Sequence, residues 1–319
     1  MSDGGLFPIL DPVTQQFVDS LPVGPTREPY RPAEATADLR RMQALPIGKP
    51  RVAIEDVVLP VGPTGLVRAR MIRPPNLTGP LPVVMLFHGG VSMLGDMDTH
   101  DRLMREIAVG AGAAVVFVGY GRPPESRFPV AIEQAYAATK YVIDQAHAFN
   151  LDGTRLALLG DSAGGNVAIA VALLARKRRG PRVALQVLLH PVTGADFTTA
   201  SYQRFADGPW LTRSAMMWFW DAYEPDRERR RDSRVAPINA SIDDLRNLPD
   251  ALVIVAEGDV LCDEGEAYAR KLADAGVRVT SIRYNGTIHD FMLLHALADT
   301  PAVRSALAQT VFALRDAFE

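Results

Sequence analysis

The sequence predicts an α/β protein: an eight-stranded, mostly parallel sheet flanked by helices, with helical segments laid over it as a cap. Three observations carry this expectation. From Arg51 onward, short β-rich runs alternate with helix-length segments, the pattern of a sheet wrapped by helices. The first two runs are separated by Gly62-Pro63-Thr64-Gly65, which makes them a hairpin and hence an antiparallel edge. The composition, 48% hydrophobic and 22% charged over 319 residues, supports a large core and carries no signature of disorder.

The first fifty residues differ from the rest. Prolines recur at positions 8, 12, 22, 25, 29, 32, 46 and 50, around two helix-compatible pieces, Val13 to Ser20 and Ala33 to Leu45. Such a segment cannot form a core alone, so residues 1–50 are expected to lie on the main body as an N-terminal cap segment. Residues 51–319 form the main domain. Its strand candidates are Val52 to Leu59, Leu66 to Ile72, Val83 to Phe87, Ala114 to Val118, Leu156 to Leu159, Ala184 to Leu189, Leu252 to Ala256 and Arg278 to Tyr284. Asp101 to Gly110, Ala131 to Ala148, Asn166 to Arg176 and Glu264 to Ala275 have helical length and composition, and Gly276 is a plausible stop for the last. A longer insertion between strands six and seven, at about 195–248, contains Trp210, Trp218, Phe219, Trp220 and Tyr223 and is expected to supply a second cap piece.

Composition narrows the function. Thirty-four basic against thirty-seven acidic residues leave a formal charge of −3, which offers no global footprint for nucleic acid or an anionic membrane. The basic runs Arg176-Lys177-Arg178-Arg179 and Arg227 to Arg231 read as solvated faces or loops. A small-molecule partner is expected. The single cysteine, Cys262, excludes an internal disulfide framework and a cysteine-based structural zinc site. Met1 to Pro12 carry no positive n-region, and no apolar run approaches the roughly 18 to 20 residues that span a bilayer. The expectation is a soluble cytoplasmic protein.

The chemistry begins at Gly160-Asp161-Ser162-Ala163-Gly164. A buried strand precedes this turn and an apolar helix follows it, the context that a Gly-x-Ser-x-Gly nucleophile elbow requires in an α/β-hydrolase fold. The turn forces the serine into a strained conformation, and flanking side chains would collide with the strand and helix packed around it. A bare match is cheap, and the bland alternative is a glycine-rich turn cradling a phosphate; neither a Walker-type nor a dinucleotide motif accompanies it. After strand three comes His88-Gly89-Gly90-Val91, where this fold supplies further backbone donors for an oxyanion. Gly89, Gly90 and Ala163 are the expected donors, with His88 a structural anchor for the loop.

In this fold the acid and the histidine follow the penultimate and last strands. Glu257-Gly258-Asp259 and Ile288-His289-Asp290 occupy those places. Asp259 is favoured over Glu257, Asp263 and Glu264 because it sits in the loop itself, whereas Asp263 and Glu264 open the next helix, where carboxylates suit the macrodipole. His88, His100, His147, His190 and His295 each have a bland structural reading. Ser162, Asp259 and His289 are thus the expected catalytic residues, with no metal or organic cofactor.

With these residues in hand, the chain resembles the bacterial hormone-sensitive-lipase-like (family IV) carboxylesterases of the α/β-hydrolase superfamily, in the branch marked by Gly-Asp-Ser-Ala-Gly. The resemblance runs from about Pro80 to the C-terminus. It includes the His-Gly-Gly loop, Leu94 to Asp101, Phe128-Pro129, the cap-like Ser201 to Trp220, and Asp259-Val260-Leu261-Cys262-Asp263-Glu264-Gly265. It implies hydrolysis of short- to medium-chain carboxylic esters under a helical cap, with Ser162, Asp259 and His289 as triad and Gly89, Gly90 and Ala163 as oxyanion site. Val91 and Ser92 stand where the family usually has a third glycine and an aromatic residue, so with Trp210 and Trp218 they are candidate pocket residues. Asp290 stands where glycine is typical. The alternatives are an amidase, arylester or lipid hydrolase with the same triad, and a non-catalytic ligand-binding receptor on the same scaffold. An exposed eighth strand leaves monomer or homodimer open.

Overall fold

The computed structural model describes residues 8–21, 32–89 and 95–319. Two helices, α1 (Pro12–Ser20) and α2 (Pro32–Met42), precede the sheet. The strands are β1 (Ala53–Leu59), β2 (Val67–Arg73), β3 (Leu81–Phe87), β4 (Ala114–Gly119), β5 (Leu151–Asp161), β6 (Leu185–Leu189), β7 (Asp250–Gly258) and β8 (Val279–Ile288). They form one sheet in the spatial order β1-β2-β4-β3-β5-β6-β7-β8. β2 pairs antiparallel with β1 and with β4, and the remaining pairs are parallel. The hairpin edge and the eight-stranded sheet agree with the sequence reading.

Helices cover both faces, as a parallel sheet requires. α4 (Val130–Asp144), α5 (Ala163–Lys177) and α9 (Cys262–Asp274) pack on one face, around Ile132, Ile169 and Tyr268. α3 (Asp101–Ala111) and α10 (Pro301–Phe318) cover the other, through Leu103, Ile107, Val303 and Leu314. β3 is buried along its whole length, which explains its unbroken apolar run.

Three differences from expectation have physical reasons. β5 begins at Leu151 because that residue pairs with Leu81, before a register shift. The helix expected over Ala131 to Ala148 ends at Asp144 and continues as a turn. α10 lies outside the four helices named from the sequence, although Thr300-Pro301 is a start signal: the Thr300 hydroxyl caps Val303 N–H at 3.4 Å and proline occupies the first helical position.

The insertion before β7 carries α6 (Ala200–Arg204), α7 (Arg213–Tyr223) and α8 (Ile242–Leu245), with Trp220 fully buried beneath. The N-terminal segment is tied to the main domain at both described pieces. Asp11 N–H donates to Gly286 O at 2.9 Å, and the Gln43 side chain meets Thr99 O, Leu293 O and His295 N–H at 2.9, 2.8 and 2.9 Å. Among the described residues, no helix is long and apolar enough to cross a membrane.

Candidate active site

β5 ends at Asp161 and α5 begins at Ala163, leaving Ser162 at the turn with φ 53° and ψ −120°. That region costs a non-glycine residue about 1–3 kcal/mol and persists only where the surroundings over-determine it. Here they do. Ser162 N–H donates to Leu189 O at 2.8 Å, and its carbonyl accepts from Gly165 and Val192 N–H, each at 3.0 Å. A Cβ at Gly160 or Gly164 would fall onto the backbone of Gly164 or of Phe87, so the helix crosses the strand only with glycine at both.

The last two strands deliver the other residues. His289 Nε2 lies 2.9 Å from Ser162 Oγ, and its Nδ1 lies 2.7 Å from Asp259 Oδ2. Asp259 Oδ1 accepts Leu261 N–H at 3.0 Å, fixing the carboxylate. All three side chains are buried. Burial by itself would lower the His289 pKa, but the Asp259 and Asp290 carboxylates outweigh it and hold the imidazole above its usual range.

The competing carboxylates are engaged elsewhere. Glu257 accepts Gly286 N–H at 2.8 Å and Asp263 accepts Ser201 N–H at 2.8 Å. Glu264 accepts Thr193 and Gly194 N–H at 2.6 and 3.1 Å, and burial pushes its carboxyl up to about 8. The Cys262 thiol is also pushed up by burial, to about 12, which makes it a packed rather than a reactive residue.

Of the expected oxyanion donors, Ala163 is the first residue of α5, where its N–H has no acceptor within the helix. Gly89 requires a correction. Its N–H donates to Asp161 Oδ2 at 3.0 Å, so it is committed to that carboxylate and is not free for an oxyanion. Its glycine identity has another cause: a Cβ there would overlap the Asp161 carboxylate and come within 2.9 Å of Ser162 Cβ. Gly90, Val91 and Ser92 lie outside the described residues.

His88 has the surroundings of an anchor. Its ring stacks on Tyr120 and Phe117 at 4.4 and 5.2 Å, and Tyr120 O–H donates to His88 O at 2.5 Å. Burial drives its imidazole down to about 3. His100, which received no role from sequence, places Nε2 3.2 Å from Asp161 Oδ1. Burial opposes charge on both, yet their attraction prevails, holding the Asp161 carboxyl below its usual range and His100 above its own. No local spacing links two residues that are 61 positions apart.

Trp210 reaches the site. Its Nε1–H donates to Asp290 Oδ2 at 3.0 Å, and its ring lies 5.5 Å from that of Phe17 in α1. Trp218 is half-buried on α7. His190, at the end of β6, sets its ring edge-on to His289 with centroids 4.6 Å apart. His190, His289 and Asp290 are the one group of His, Cys, Asp and Glu ligand atoms among the described residues close enough together to hold a metal ion.

Comparison with known proteins places this geometry. The sequence profile of the alpha/beta hydrolase fold family matches residues 84–293. Carboxylesterase NlhH of Mycobacterium tuberculosis is 35% identical over 316 residues, covering 97% of each chain. An ethyl acetate hydrolase of Pseudomonas putida is 36% identical over 273 residues, 83% of this chain and 85% of that one. The solved structure of a thermostable esterase from Pseudomonas putida ECU1011 superposes with a TM-score of 0.95 at 45% identity, over 98% of both chains.

Proposed function

This chain belongs to the α/β-hydrolase-fold family, among its hormone-sensitive-lipase-like esterases, and from that premise we propose that Ser162, His289 and Asp259 are the nucleophile, general base and orienting acid of its ester hydrolysis. The protein is a serine carboxylic ester hydrolase. The observation that carries the residue assignment is the His289 imidazole, bridging Ser162 Oγ at 2.9 Å and Asp259 Oδ2 at 2.7 Å.

His289 Nε2 takes the Ser162 proton as Oγ attacks the ester carbonyl carbon. The carbonyl oxygen becomes an anion, received by Ala163 N–H together with Gly90 N–H; each such donor contributes on the order of 3 kcal/mol. Asp259 holds the imidazole with Nδ1–H toward it and stabilises the cation. Collapse breaks the bond to the alcohol oxygen, which leaves with the His289 proton. A water deprotonated by His289 then attacks the acyl-serine, and the acid departs as Ser162 recovers its proton.

The substrate is a small ester, and we propose short to medium acyl chains, supported by the relative named ethyl acetate hydrolase. Residues 1–50 and about 195–248 serve as a cap over a catalytic domain of residues 51–319, a reading supported by the Phe17–Trp210 contact and the Trp210–Asp290 hydrogen bond. The same reading includes a cytoplasmic location and a monomer or homodimer. Turnover of nitrophenyl esters from acetate to decanoate, beside a nitroanilide, tests substrate class. The rate peaks at the shorter esters and falls by roughly 10⁴–10⁶ in Ser162→Ala, which also loses fluorophosphonate labelling. Preference for the anilide, or equal labelling of the variant, refutes the assignment.

A further inference from the structure

A second carboxylate and a second imidazole crowd the His289 ring, and the ester-hydrolysis mechanism uses neither. His190 follows β6 with φ 36°, and Asp290 follows His289 with φ 62°. Asp290 Oδ1 lies 3.5 Å from His289 Nε2 and 3.5 Å from His190 Nε2. Among the described residues, neither His190 nitrogen nor Asp290 Oδ1 has a hydrogen-bond partner closer than these 3.5 Å contacts, although both residues are more than nine-tenths buried. Buried polar atoms left in this state are rare in folded proteins and mark a group that something else satisfies. The other Asp290 oxygen is held by Trp210 Nε1–H at 3.0 Å, which turns the carboxylate and leaves Oδ1 between the two rings.

The donor set and its spacing match one class of ligand. Two imidazole nitrogens and one carboxylate oxygen suit zinc and its transition-metal neighbours, whereas magnesium and calcium take oxygen. Zinc bonds of about 2.0–2.1 Å set tetrahedral ligand atoms about 3.3–3.5 Å apart. Two edges of the triangle already have that length, and all three ligand atoms lie within 4.8 Å of one another. The polar contact that holds the His190 ring is its 3.5 Å pairing with Asp290 Oδ1, which a cation between the two would replace. Behind His289, Asp259 at 2.7 Å from Nδ1 repeats the carboxylate–histidine–zinc arrangement that orients metal-bound imidazoles.

We propose that His190, Asp290 and His289 form a binding site for a zinc-class divalent cation, and that its occupancy silences the enzyme. Bound zinc takes the His289 Nε2 lone pair, which is the acceptor for the Ser162 proton, so the nucleophile loses its base. The inhibitory half of this inference rests on the assignment of His289 as base; the binding half does not.

The experiment titrates EDTA-stripped, desalted full-length enzyme with zinc chloride against a chromophoric chelator, and follows nitrophenyl ester hydrolysis in parallel. One zinc binds per chain, the rate falls at least tenfold in step with binding, EDTA restores it, and magnesium chloride has no effect. His190→Phe, which keeps a ring but no nitrogen, and Asp290→Asn each raise the half-inhibitory zinc concentration by about tenfold or more, relative to their own zinc-free rates. Circular dichroism and fluorophosphonate labelling of both variants establish that they fold. Absence of stoichiometric binding, or binding and inhibition unchanged in both variants, overturns the proposal. One zinc per chain in an enzyme that hydrolyses no ester overturns the inhibitory role through failure of the catalytic reading, and the two failures are thereby distinguished.

Discussion

The Asp161 carboxylate, next to Ser162 in the chain, accepts the Gly89 N–H at 3.0 Å and so ties the Ser162 turn to the glycine loop that follows β3. His100 closes the other side of this carboxylate at 3.2 Å. The loop and the elbow come from strands far apart in sequence, and one buried ionised group holds both.

Asp161 is therefore a positioning residue, and Asp161→Ala should slow catalysis more than it weakens binding. A hydrogen bond to a buried charge contributes about 1.5–3 kcal/mol, which corresponds to a fall of roughly 10- to 150-fold in kcat. KM should stay within about threefold, with Asp161→Asn recovering part of the loss. A KM effect without a kcat effect would remove the positioning role.

Gly89→Ala adds a Cβ that overlaps the Asp161 carboxylate and lies 2.7 Å from Asp161 O. The loop must move, and displacement by about an ångström at a reacting centre costs on the order of 100-fold in rate. Steady-state kinetics of the variant decide the point; a rate within fivefold of the parent would mean that the loop tolerates the side chain.

Glu264 makes stability depend on pH. Burial raises its carboxyl from 4.5 to about 8 in the folded protein. The folded state thus binds a proton that the unfolded state has released, and the stabilisation present below pH 4.5 is lost as pH rises through about 8. Urea midpoints measured between pH 5 and 9 should fall for the parent more steeply than for Glu264→Gln, which keeps an oxygen for Thr193 and Gly194 N–H. Parallel slopes would refute the assignment.

Gln43 anchors the end of α2 with hydrogen bonds to Thr99 O, Leu293 O and His295 N–H. Gln43→Ala removes the Gln43 partner of Thr99 O and His295 N–H and leaves Leu293 O to Arg102 Nη2 alone, at 3.2 Å; each buried backbone group left unpaired costs about 1–3 kcal/mol before water or relaxation recovers part. Thermal unfolding should drop by several degrees, and KM should rise as the segment next to His295 loosens. An unchanged melting temperature would show that Gln43 is not an anchor.

The positions of the strands were legible because buried parallel strands are short, apolar and β-branched. Leu252 to Ala256 and Ala114 to Val118 fall inside β7 and β4 for that reason. α10 is announced by Thr300-Pro301 but follows the last strand, where the alternation of strand and helix no longer calls for a crossover. Asp290 stood out only as a departure at a position where glycine is typical. Its proximity to His190 and Trp210 joins residues 100 and 80 positions away, beyond the reach of any local pattern.

The order of amino acids by itself determined the alternation of strand and helix, the hairpin edge, and the elbow around Ser162. These follow from propensity, period and glycine sterics within a few neighbouring residues. It also placed Asp259 and His289 directly after the last two strands, because the fold orders its loops along the chain. Tertiary structure alone decided which groups are engaged. It turned the Gly89 N–H to Asp161, gave His100 a buried carboxylate, and set Asp290 against His190. Hydrogen bonds and charge pairs form between atoms that packing brings within about 3 Å, and parallel strands bring together residues separated by a whole helix and its turns.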